Sequence, residues 1–88
     1  MLLLPTELTQ REASACLDRL LAQIGSESAV LADASALLRF DSAALAVLLA
    51  CRRASLAADK TFAVQQLPPK LRQLAGLYGV IDLLMPTP

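Results

Sequence analysis

The sequence predicts a small α/β domain with a mostly parallel sheet, and three observations carry that prediction. Short apolar stretches alternate with helical patterns in the order strand–helix–strand–helix–strand–helix, which builds a parallel sheet with right-handed crossovers. The inner stretch Ala29–Ala32 is apolar without alternation, as expected of a strand covered on both faces. Finally, 88 residues with an apolar fraction of 56% suit one domain, spanning 1–88, with an aliphatic core.

Each element has its own local reason. Leu2–Leu4 read as a short first strand ending at Pro5. The segment TQRE, Thr9–Glu12, is a capping box that opens a helix. Ala13, Cys16, Leu17, Leu20, Leu21 and Ile24 then recur at three- and four-residue spacing, and Gly25 is the expected stop. After Ala29–Ala32, Asp33 ends the strand and residues 34–40 connect it to a second helix. That helix begins at Asp41 or Ser42, either of which can cap, and runs to about Ala58. Asp59-Lys60 turns the chain into a further central strand, Thr61–Leu67. Pro68-Pro69 starts a third helix, since proline at the first position lacks only an amide that would be unpaired anyway. Its buried stripe is expected at Leu71, Leu74, Ala75 and Tyr78, with Gly79 as its end. A short apolar tail, Ile81–Met85, is closed by Pro86 and Pro88.

Composition excludes several function classes. Eight basic and eight acidic residues leave no net charge, unlike the basic excess of a nucleic-acid platform. With no histidine and two cysteines, a metal centre has too few ligands. Three glycines, at positions 25, 76 and 79, make no phosphate cradle. The opening MLLL is too short for a signal segment, and no apolar run reaches the roughly 18 residues of a membrane span. The expectation is a cytoplasmic protein, with Cys16 and Cys51 reduced and buried as small hydrophobes.

The second helix carries the functional question. Leu45, Leu48, Leu49 and Leu56 form an aliphatic stripe wide enough to cover a sheet. Ala43, Ala46, Val47 and Ala50 form a second stripe of small side chains, and polar residues appear only from Arg52. A helix apolar on nearly every side is normally covered on both sides, so the small stripe is expected to meet a partner. Alanine's high helix propensity is the plainer explanation of the same stripe. Ser42 at the helix start is also a site where a phosphate would be tolerated. No histidine or neighbouring lysine is available to activate it as a nucleophile, so no catalytic residue is expected.

The stretch DASALLRFDSAALAVLL, Asp33–Leu49, resembles the signature of STAS domains. Asp33 and Ser35 match its D-x-S element; Asp41, Ser42 and Leu45 match its D-S/T-x-G-L element. The resemblance is nearest to the STAS subunit of the Mla-type ABC transporter, through the ending LRQLAGLYGVIDLLMP, Leu71–Pro86. It implies a STAS fold with a shortened N-terminal edge strand. It also implies a non-catalytic cytoplasmic subunit, without cofactor, of a complex that maintains outer-membrane lipid asymmetry. Such a subunit binds the transporter's ATPase subunit, supports its assembly and activity, and reaches the inner membrane only through the complex. Asp41, Ser42, Ala43, Ala46, Val47 and Ala50 are then the partner-binding residues. The alternative is the anti-sigma-factor antagonist branch, which binds an anti-sigma kinase. That branch is switched at a serine whose place is taken here by Ala43, and the motif glycine is replaced by Ala44. The short N-terminal strand leaves an open edge, so an isolated chain is expected to form a homodimer.

Overall fold

The structure is a computed structural model that describes residues 1–85. Pro86 and Pro88, expected to close the C-terminal tail, lie outside the described residues. Three strands form the central sheet: β1 (Leu2–Leu3), β3 (Val30–Asp33) and β5 (Phe62–Gln65). Their order is β1-β3-β5, and every pairing is parallel. The expected architecture is therefore present.

The alternating burial of β3 and β5 fixes which side chains reach the core. Val30, Ala32, Phe62 and Val64 point inward, while Leu31, Asp33, Ala63 and Gln65 are half-buried. Against the inward face lie α1 (Gln10–Ile24) and α2 (Ser42–Ala57), which contribute Cys16, Leu20, Ile24, Ala44, Leu45, Val47, Leu48 and Cys51 to one core. After α3 (Pro69–Leu77), the expected apolar tail is a single helical turn, α4 (Ile81–Leu84). It packs on α2, α3 and β5 and buries Leu84 completely. Among the described residues no helix is long and apolar enough to cross a membrane.

Several local readings change. A second, two-stranded parallel ladder pairs β2 (Glu7–Leu8) with β4 (Arg39–Phe40), inside segments expected to be loops. The N-terminal segment thus runs along β3 first and then along the connection to α2, through bonds from the Leu38 and Arg39 amides to the Thr6 carbonyl. Leu2 and Leu4, expected beside an open edge, are buried, and it is Leu3 that faces out. Tyr78 and Leu56 are exposed rather than part of the core stripes.

Helix ends follow backbone chemistry. Thr9 and Glu12 form the reciprocal capping box of α1, and the Thr9 hydroxyl and amide, both donating to Glu12, hold its carboxyl below the usual range. Gly25 does not turn left-handed at the end of α1; its φ is −59°. Gly79 does, at φ +70°, and α3 closes with the Val80 amide on the Ala75 carbonyl and the Gly79 amide on the Gly76 carbonyl. The same closure ends α2 with Asp59 in the left-handed position, at φ +60°, and the Lys60 amide on the Ser55 carbonyl.

Cys16 and Cys51 are free thiols buried between α1 and α2. Burial, with a smaller contribution from Cys16, raises the Cys51 thiol from its ordinary 9.0 to about 11. Between those values the unfolded chain gives up this proton while the folded chain keeps it, so stability falls as pH rises through that window. At ~1.4 kcal/mol per unit the loss from this group approaches 2–3 kcal/mol. Denaturant titrations in reducing buffer should show that decline above about pH 9, and Cys51→Ala should flatten it. An equal decline in the variant would assign the effect to other groups.

Candidate functional site

Alternation of strand and helix puts the starts of all three long helices at one end of the sheet, beyond the last residues of β1, β3 and β5. Asp33, the last residue of β3, folds its carboxylate onto the Ser35 amide at 2.9 Å. That bond, helped by the Ser35 hydroxyl and the Gln65 amide, holds the carboxyl below its usual range. The D-x-S element is thus an Asx turn that aims the chain from β3 towards β4 and α2.

Asp41 is the N-cap of α2, with Oδ1 accepting the Ala43 amide at 2.8 Å. Its other oxygen, Oδ2, accepts the amide of Gln10, the first residue of α1, at 3.2 Å. One carboxylate therefore serves the positive ends of two helices. At the far end Lys60 Nζ, just past α2, donates to the Ile24 carbonyl at 2.7 Å and to the Gly25 carbonyl at 3.3 Å. The two helices run side by side in the same direction, with like poles together. Asp41 and Lys60 offset the repulsion of those poles at each end.

Ser42, one of the two residues able to cap, is the first helical residue and is exposed, so the cap is Asp41. Ala44, standing where the family motif has glycine, is ordinary helix and buried. Gln10, Asp41, Ser42, Ala43 and Ala46 line an open cleft of about 350 Å³ at this end. Its lining supplies no histidine, lysine or cysteine. Both Asp41 oxygens already accept backbone N–H groups. Among the described residues no group of three His, Cys, Asp or Glu side chains could hold a metal ion, and no buried side-chain polar atom lacks a partner.

Of the expected partner-binding residues, Asp41, Ser42, Ala43, Ala46 and Ala50 are exposed or half-buried around one outward face of α2. Val47 is not: it is only 2% exposed. One step of roughly 100° turns it from Ala46's direction to the side of Cys51, where α1 packs, and it belongs to the core. The residue that shares the outward face instead is Arg53, exposed three positions after Ala50. Gln10 was also invisible as a site residue, since it acts through its backbone amide. The i, i+3, i+4 spacing from Ala46 through Ala50 to Arg53 is the signal that would have found the arginine.

Asp41→Ala should lower stability by about 1–2 kcal/mol, because it uncaps α2 and strips α1 of a partner. Ser42→Ala should stay within about 0.5 kcal/mol. Chemical denaturation of both variants distinguishes the roles, and a larger loss for Ser42→Ala would overturn the assignment of the cap.

The model of a family described as Mlab, STAS domain, matches residues 1–86. No curated protein matches the chain.

Proposed function

The chain belongs to the STAS domain family, and from that premise we propose that it is the non-catalytic STAS subunit of a phospholipid-transporting ABC complex. In this reading it binds the complex's ATPase subunit from the cytoplasmic side and supports its assembly and activity. The observation that carries the reading is the outward face of α2. Ala43, Ala46 and Ala50 leave a flat strip on a helix whose opposite side is fully committed to the core. Small side chains let another backbone approach closely, and the Asp41 cap holds the strip in a fixed orientation. The family's description and the likeness of Leu71–Pro86 to the transporter subunit favour this branch.

The signalling alternative, antagonism of an anti-sigma kinase, is weakened by two features. Ala43 has no hydroxyl at the position where that branch is phosphorylated. A phosphate on Ser42 would sit beside the Asp41 carboxylate, which already occupies the helix start, and like charges there repel. Catalysis is disfavoured for a related reason: the acid that lines the cleft with Ser42 is Asp41, and both of its oxygens already accept backbone amides.

Co-purification from cells expressing the transporter genes tests the proposal. The wild-type chain should retain the ATPase subunit, and Ala50→Glu should lose it while melting within a few degrees of wild type. Retention of an anti-sigma kinase together with a stoichiometric phosphate on Ser42 would establish the signalling branch instead. Unfolding of Ala50→Glu would place Ala50 in the core and move the partner surface elsewhere.

A further inference from the structure

The zero net charge conceals a separation of charge. Up to Asp41 the chain carries six acidic and three basic residues; from Ser42 onward it carries two acidic and five basic. On α2, α3 and α4, which pack on one another, the cations are Arg52, Arg53, Lys70 and Arg72, against the single acid Asp82. Among the described residues the one ion pair joins the Met1 amino group to Glu27, far from these helices in sequence. Among the described residues none of the four cations is paired with an acid. The same three helices present apolar side chains to solvent: Leu77 is 83% exposed, Tyr78 62%, and Leu56 and Leu83 are exposed as well.

We infer that the α2–α3–α4 face docks an acidic, apolar protein surface. This deepens the reading of α2 as a docking helix and rests on it: the partner supplies carboxylates to the arginines and lysine, and an apolar ridge to the leucines and the alanine strip. Cations and exposed apolar side chains carried by three helices that pack on one another offer the charged and apolar groups of a protein interface, and the excess of cations sets the partner's sign. A second copy does not satisfy this face by two-fold pairing, because cation would then meet cation.

The test uses the full chain, isotopically labelled, and two soluble helical peptides, one of leucine and glutamate repeats and one of leucine and lysine repeats. The acidic peptide should shift amide signals within residues 49–57 and 69–84, and the basic peptide should leave them in place. The affinity should fall at least about tenfold between low and high salt. It should fall by about as much in Arg53→Glu/Lys70→Glu, both exposed side chains, whereas Arg11→Glu/Arg19→Glu on α1 should change it less than about twofold. Equal response to both peptides, shifts confined to α1, or binding of phosphatidylglycerol vesicles without response to the acidic peptide would each overturn the inference. None of these outcomes depends on the ATPase, so loss of this proposal and loss of the transporter assignment are read separately.

Discussion

One carboxylate holds the starts of two helices. Asp41 accepts the Ala43 amide of α2 and the Gln10 amide of α1, which ties the first turn of α1 to the cap of α2. A parallel α/β topology makes neighbouring crossover helices run the same way, so their positive ends meet. Four amides at each such end lack partners within the helix. A residue that caps one helix and reaches the next satisfies backbone demand and offsets the electrostatic cost together. Lys60 does the converse at the other end, against the carbonyls of Ile24 and Gly25.

The fixed pairing of α1 with α2 determines what α2 can offer a partner. With Ala44, Leu45, Val47, Leu48, Cys51 and Ser55 buried, the positions of α2 left outward or half-turned are Ser42, Ala43, Ala46, Leu49, Ala50, Arg52, Arg53, Ala54, Leu56 and Ala57. The near-absence of polar residues in the first turns of α2 therefore has two separate causes. Most of those positions are core, and a narrow remainder is a flat surface whose chemistry is set by alanine and then arginine. A protein-interaction role of the general STAS kind follows from family and shape together.

Much of the fold was legible in the sequence because its signals are local. Thr9 and Glu12 mark the start of α1 through a reciprocal bond pair spanning three residues, and Pro69 marks the start of α3 because its missing amide would be unpaired there anyway. The strands β3 and β5 announce themselves as apolar runs between turn residues. The β2–β4 ladder was not legible, since two-residue strands such as Glu7–Leu8 and Arg39–Phe40 show no alternation and exist only because the tertiary path brings them together. Tyr78 fits the helical stripe of α3 yet lies at its C-cap, where the chain turns away from the core. In the site, residue types on α2 were readable but their facing was not: Val47 and Ala46 are adjacent in sequence and point to different neighbours. The double duty of Asp41 was hidden for the same reason, as its second partner is a backbone amide 31 positions earlier.

The claim that one side chain joins two helices is most directly tested by comparing the amide proton signals of Gln10 and Ala43 in the wild-type chain and in Asp41→Ala. If Asp41 serves both, both signals move in the variant, as each amide loses its carboxylate partner, while amides in the middle of α1 and α2 stay in place. If Ala43 responds and Gln10 does not, the carboxylate caps α2 alone, and the alignment of the two helices must be held by packing.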